Sequence, residues 1–488
     1  MEWWQRLERQ AHRSGLTIIG READTLNVMQ CSLPTRPRWP ALLALTLLSL
    51  TAGTLPLWAG VSAPLPGDSP IFDFPENAEF RRIDYDSFIN ARTEELRGAH
   101  PLLLRNGWAE WKREVIASGN YQYIVYAAGR DGKWPLYSQG TWIIKRRFGS
   151  DEFSQVKIFL KSDPGTYIRI RPDADRSRLD LVIKGGVFAA DTPLPLPFSR
   201  ILVSTVADIV DLTRGSLDWS LLDPDPADYG AISTLDSEIR SRLRSLRYAD
   251  DGGLDAQGKP VFIASGERQA AKTAGLNCSG FAQWVVDGLV KPVSGEWLDR
   301  STLSLKRIAT RKSAAEPSFE DSLDPYFGLD WTRNLALAAG AVLEGLPTEG
   351  PKAADVTRAP FALVEGESAP VNGDPAYRDF APYEEDAGFA SEGIPALLWW
   401  LAIKDPGYFY LASISAQDMA GLRHHYHVSL LLPWFDSGGT FHADVFESDA
   451  ETSLAALIQR TKGQMIHLVR VKAEIAFDPP ALGPTQIH

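Results

Sequence analysis

Hydrophobic spacing divides the chain into an uncharged apolar stretch, a run of alternating strands, and a mixed region of helices and strands. The apolar stretch comes first. Pro40 to Ala59 carries no charge and has roughly the 20 residues that a membrane-crossing helix needs. Arg36 and Arg38 precede it, whereas Asp68, Asp73 and Glu76 follow, a bias that keeps residues 1–38 as a cytoplasmic tail. Residues 39–60 therefore read as a transmembrane helix. The alternative is a secretory signal segment, cleaved among Gly60, Val61, Ser62 and Ala63.

Pro64 to Pro75 is a linker rich in Pro, Asp and Gly. Helical spacing follows around Tyr85–Leu96 and Pro101–Ala117, the second carried by Leu104, Trp108, Trp111 and Val115. Short apolar runs then predict strands at Tyr121–Ala127, Thr141–Arg146, Gln155–Lys161, Thr166–Arg171 and Arg178–Ile183. Their even spacing suggests a small sandwich or barrel. A helix at Thr234–Leu246 closes this 64–250 domain, whose role the sequence does not disclose, and Asp250-Asp251-Gly252-Gly253 marks its boundary.

From Leu254 to His488 the pattern changes. A helix at Asn277–Leu289 buries Phe281, Val285 and Leu289, and Gly288 and Pro292 are expected to stop it. Residues 306–385 are poorly patterned and read as a surface insertion, with one helix-like piece at Trp331–Leu343. A helix near Pro395–Ala402 leads into strands at Tyr408–Ser413, His427–Leu432, Phe441–Phe446 and His467–Ala473, with a helix at Ala455–Thr461. A helix followed by an antiparallel meander is an α+β arrangement.

Composition narrows the function. A net charge of −12 and a pI near 5.3 argue against a nucleic-acid partner. The two cysteines, Cys31 and Cys278, fall on opposite sides of the apolar stretch. If the later part is exported, Cys278 is a free thiol where cysteines usually pair, which fits a reactive role better than a disulfide framework. It follows the good N-cap Asn277, so it enters the first turn of its helix, where unpaired N–H groups and the macrodipole favour a thiolate.

A thiol nucleophile needs a base and a group that orients the base. Of the eight histidines, His424, His425, His427, His442, His467 and His488 lie late in the chain. His427 opens an apolar strand, and His442 lies across a Gly-containing turn on its expected hairpin partner, so the two could touch as base and orienter. Asp444, near His442, is the competing orienter. His424, His425 and His442 could together approach a metal, but no cysteine or His-x-x-x-His helix accompanies them, so no metal and no cofactor are expected.

Asn277-Cys278-Ser279-Gly280-Phe281, His427-Val428-Ser429-Leu430-Leu431-Leu432 and Phe441-His442-Ala443 together resemble the NlpC/P60 cysteine peptidases, papain-like cell-wall hydrolases. Their motifs read Asp-Cys-Ser-Gly-Phe, His-Val-Gly-Ile-Tyr and Ile-His-Ala. Pro406-Gly407-Tyr408 sits where the family has Pro-Gly-Asp. The resemblance covers only the parts of residues 254–488 that flank the insertion. It implies Cys278 as nucleophile, His427 as general base and His442 as third member, with Asn277 and Ser279 beside the substrate. The implied fold is α+β: a papain-like catalytic domain, its Cys-bearing helix packed on an antiparallel sheet, preceded by the β-rich domain and the transmembrane or signal segment. The implied activity is cleavage of amide bonds in peptidoglycan stem peptides, outside the cytoplasmic membrane. Asn277 for Asp, Ser429 for Gly, and Phe262 near the place of the family's upstream tyrosine depart from the pattern and point to an altered pocket. A silent envelope-binding relative and a thiol acyltransferase are the other readings.

Overall fold

Apolar residues between Leu102 and Leu194 build eight consecutive antiparallel strands: β1 (Leu102–Asn106), β2 (Ala109–Ser118), β3 (Tyr121–Ala128), β4 (Trp142–Arg147), β5 (Phe153–Phe159), β6 (Tyr167–Asp173), β7 (Arg176–Ile183) and β8 (Gly186–Leu194). The structure is a computed structural model that describes residues 68–482, except 107–108, 130–131, 308–323, 349, 351, 365–376, 379–382 and 420. Both faces of the central strands are covered, which is why they read as near-continuous apolar runs. Ile124, Trp142, Ile144, Ile158 and Ile168 pack on one face, and Tyr123, Val125, Ile143, Phe159 and Val182 on the other. The helices α1 (Ala78–Asp84) and α2 (Val206–Thr213) cover the first face, and a Thr205–Asp208 capping box starts α2.

The chain then forms α3 (Gly230–Arg242), a short hairpin of β9 (Gly252–Leu254) and β10 (Pro260–Phe262), α4 (Cys278–Ser294) and α5 (Phe327–Leu343). Next come β11 (Ala362–Val364) and β12 (Tyr377–Arg378), which do not leave as a separate insertion. β11 pairs with β8 and β12 with β11, extending the first sheet to ten strands. The last stretch supplies β13 (Phe389–Ala390), α6 (Ile394–Lys404), β14 (Tyr408–Gln417), β15 (Arg423–Phe435), β16 (Phe441–Glu447), β17 (Ala450–Ser453), α7 (Leu454–Arg460) and β18 (Met465–Lys472). These strands make a six-stranded sheet in the order β13-β18-β14-β15-β16-β17. α3, α4 and α5 bury Ile239, Phe281, Val285 and Trp331 with Val428, Leu430 and Phe446. On the opposite side α6 packs Ile394, Leu397 and Leu401 with Tyr410, Leu431 and Val445. α6 also faces the ten-stranded sheet, through Trp399 and Ala402, and the Trp399 indole donates to the Leu221 carbonyl at 2.8 Å.

The expected fold class is thereby corrected. Among the described residues, antiparallel sheets of ten, six and two strands dominate. The six-stranded sheet is not a free-standing papain-like domain set behind a small sandwich or barrel. α6 is shared between the two larger sheets, and the stretch read as an insertion closes one edge of the first. Pattern reveals that a segment is a strand but not which edge it joins. The transmembrane or signal segment expected at residues 39–60, the 1–38 tail and Cys31 lie outside the described residues. Within the described residues no helix is long and apolar enough to cross a membrane.

Two local expectations also change. The stretch read as a helix at Pro101–Ala117 is the β1–β2 hairpin, in which Asn106 pairs with Ala109. Asn106-Gly107 is a hairpin-turn dipeptide, and it outweighs a helical spacing built on four apolar positions. α4 does not stop at Gly288 or Pro292 but runs on to Ser294, and Gly295 caps it with φ +79°. Gly288 serves packing instead, since a Cβ there would come within 2.3 Å of the Phe477 ring.

Candidate active site

The site begins with how α4 is pinned. The Asn277 side chain accepts from the Gly280 N–H at 2.8 Å, and the Asn277 N–H donates to the Gly252 carbonyl at 3.0 Å. Gly280 then lies so close to β9 that a Cβ would stand 2.0 Å from the Gly252 oxygen. The glycine of Cys-Ser-Gly-Phe is therefore what lets the helix start seat against the hairpin. Ser279 is buried, and its carbonyl accepts from the Trp331 indole at 2.8 Å. Cys278, between these anchored neighbours, is a free thiol and partly exposed.

His427 stands on β15 opposite Ile414 of β14. Its Nε2 bonds the Glu447 Oε1 at 2.6 Å, and the Cys278 side chain interacts with the ring by hydrogen bonding and charge. Burial disfavours the charged ring, but the bonds to Cys278 and Glu447 outweigh it and raise His427 to about 9. Burial also pushes the Glu447 carboxyl upward, and His427 with Arg460 more than reverses this, so Glu447 sits below the usual carboxylate range. Arg460, the last residue of α7, bonds the same Glu447 oxygen. Ile414, Tyr426, His427, Glu447, Arg460 and Thr461 line a cavity of about 350 Å3.

The other residues singled out by sequence have different places. His442 pairs with Trp434 across the β15–β16 ladder, stacks on its indole with ring centroids 4.4 Å apart, and bonds Asp436 at 3.0 Å. It lies five residues back from Glu447, roughly 16 Å along a strand, and is not the third member. Nor is Asp444, which accepts from the Trp434 indole at 2.8 Å. The roles expected of Asn277 and Ser279 beside the substrate give way to structural ones, since both are buried and serve the helix start. His424 bonds Asp418 at 3.2 Å. Among the described residues no group of three or more His, Cys, Asp and Glu could hold a metal ion.

Beside the site, α5 drives a buried ionic network into the sheet. Arg333 bonds Asp355 at 2.7 and 3.1 Å and pairs with Asp386 at 2.8 Å, and Asp355 also meets His467 at 3.2 Å. Tyr383 reaches Asp355 and His467, each at 3.3 Å. His425 bonds the Asp386 carbonyl through Nε2 and Ser413 Oγ through Nδ1, both at 2.9 Å. A carbonyl only accepts, so Nε2 carries the proton and Nδ1 accepts from the hydroxyl. Burial, with the nearby His467, pushes His425 down to about 3, so it is neutral and no competitor as base.

Residues 70–221 match the model of a domain of unknown function, DUF8515. No curated protein and no solved structure matches the chain. The matched stretch spans the eight consecutive strands of the first sheet and ends before α4, so the Cys278 site lies wholly outside it.

Chemically, the arrangement offers a thiol, an imidazole that keeps its proton at neutral pH, and a buried carboxylate that fixes the imidazole. That is the order nucleophilic catalysis by a cysteine requires. Glu447 and Arg460 were missed by motif, yet Glu447 was within reach of register counting. The turn after Phe435 makes paired positions of β15 and β16 sum to 876, as in Leu430↔Phe446 and Trp434↔His442. Extended to His427, that count points beyond the end of β16, diagonally across from Glu447 and far from His442.

Proposed function

We propose that the protein is a cysteine hydrolase that cleaves amide bonds in cell-wall peptides. The observation that supports it is the alignment of Cys278, His427 and Glu447, with the His427 imidazolium favoured at neutral pH. The Cys278 sulfur attacks the substrate carbonyl, forming a C–S bond. The His427 proton passes to the leaving amine as the C–N bond breaks. Water then gives one proton to His427 and its hydroxide to the acyl carbon, the C–S bond breaks, and the acid leaves with sulfur and imidazolium as they were before the attack. Glu447 holds the ring and its charge through both steps. In this reading the oxyanion is met by first-turn N–H groups of α4 other than that of Gly280, which the Asn277 side chain occupies. The peptidoglycan stem peptide as substrate rests on the Cys-Ser-Gly-Phe and His-Val motifs, now joined to a carboxylate third member in place of His442.

The reading is tested by mixing the full chain with stem peptides and quenching in acid. Mass spectrometry should find an acyl group on the peptide that contains Cys278. Peptide turnover with no such adduct, unaffected by Cys278→Ala, would contradict it.

A further inference from the structure

Resting on that reading of the site, we propose that Arg460 is a positioning residue, holding the Glu447 carboxylate so that Glu447 can hold His427 and, through it, Cys278. α7 is built to aim it. Ser453 caps the helix by accepting from the Ala456 N–H at 3.1 Å, and Leu457 is fully buried. Thr461, next in the chain, is buried; its hydroxyl donates to the Leu457 carbonyl at 2.8 Å, and its own carbonyl accepts from Ser391 Oγ at 2.8 Å. The end of the helix is thus fixed, and the guanidinium turns back onto β16.

There, one oxygen of Glu447 serves two cations. Oε1 accepts from His427 at 2.6 Å and from Arg460. The Glu447 side chain is only 12% exposed, so this is not a surface pair of the kind that contributes little. A poorly solvated carboxylate beside one cation alone protonates more readily, and once protonated it can no longer accept from a charged imidazole. The groups facing Glu447 are His427 and Tyr426 from β15 and Arg460 from α7, with Cys278 of α4 beyond the imidazole. Tyr426 is committed to Gln464 at 2.6 Å, and Glu451 of β17 to Arg240 at 2.8 Å. Arg460 is therefore the second cation that keeps Glu447 ionised as the pH falls.

The experiment is the rate of iodoacetamide alkylation at Cys278, followed by peptide mass in the full chain between pH 5 and pH 8. Arg460→Met should react about tenfold more slowly than wild type at pH 5 and within about twofold of it at pH 8. Arg460→Lys, which keeps the charge, should restore most of the rate at pH 5. In a Glu447→Gln background, Arg460→Met should change nothing further, because its effect runs through the carboxylate. Equal slowing at every pH, or effects of the two substitutions that simply add, would overturn the role. A wild-type Cys278 that alkylates no faster than a free cysteine peptide would overturn the hydrolase reading itself and Arg460's role with it.

Discussion

Replacing Glu447 by Gln tests the electrostatics of the site with the least change of shape. Glutamine keeps an oxygen where His427 Nε2 now finds one at 2.6 Å, but removes the negative charge. His427 is displaced from 6.5 to about 9, against burial and through Cys278 and Glu447, which corresponds to roughly 3 kcal/mol in favour of the charged ring. Losing the Glu447 charge should lower the His427 pKa by about one unit or more. The displacement also has a consequence for stability. A histidine whose folded pKa is raised contributes stability below its unfolded value of 6.5 and loses it as pH rises through about 9. Wild-type stability should therefore decline over that window, and Glu447→Gln should flatten the decline. Two-dimensional NMR titration of the His427 ring gives the pKa, and urea unfolding at pH 6, 7.5 and 9 gives the slope. With a turnover assay in hand, kcat/KM should fall at least about tenfold, less than the loss of a general acid–base group. An unchanged His427 titration in the variant would refute the assignment of Glu447.

Other outcomes follow from buried titratable groups. Asp287 of α4 is fully buried, accepts from the Leu298 N–H at 2.8 Å, and is pushed by burial to about 7. A carboxyl raised this way loses stability as pH climbs from 3.8 through 7, so Asp287→Asn should stabilise the protein by about 1–3 kcal/mol at pH 8, measured by denaturant unfolding. His425 works in the opposite sense. Its folded pKa is depressed to about 3, so its contribution is present above 6.5 and is lost as pH falls, amounting to about 2 kcal/mol by pH 5. His425→Gln, which can meet both Ser413 and the Asp386 carbonyl, should make the loss between pH 7 and pH 5 shallower in the same experiment.

How much could be read in advance varies by element. Strands β3 to β7 were legible because turns such as Asp163-Pro164-Gly165 separate apolar runs of strand length. The Cys278 helix was legible from Phe281, Val285 and Leu289 on one face and Asn277 at its start. What spacing could not supply was partnership. Nothing in Ala362–Val364 says that it will pair with Gly186 and Val187, and nothing in α6 says that Trp399 will face one sheet while Leu397 faces the other. At the site, Cys278 and His427 could be singled out from motif, because Asn277 marks a helix start and His427 heads the apolar part of β15. Matching His-Ala by sequence position pairs His442 with His427, whereas proximity in a hairpin depends on its length. The stretch of β15 from His427 to Phe435 carries His427 well beyond the reach of His442 and brings it to the end of β16 instead. Arg460 and the Arg333 network had no motif, since an ion pair between distant elements leaves no local pattern.

The central claim is hydrolysis through Cys278, and the measurement that tests it most directly is digestion of purified peptidoglycan by the full chain, wild type against Cys278→Ala, with released fragments identified by mass. The account predicts stem-peptide fragments from the wild type alone, each pair of new ends marking one cleaved amide bond. Intact peptidoglycan under both proteins, with Cys278 equally slow to alkylate in wild type at every pH, would contradict it.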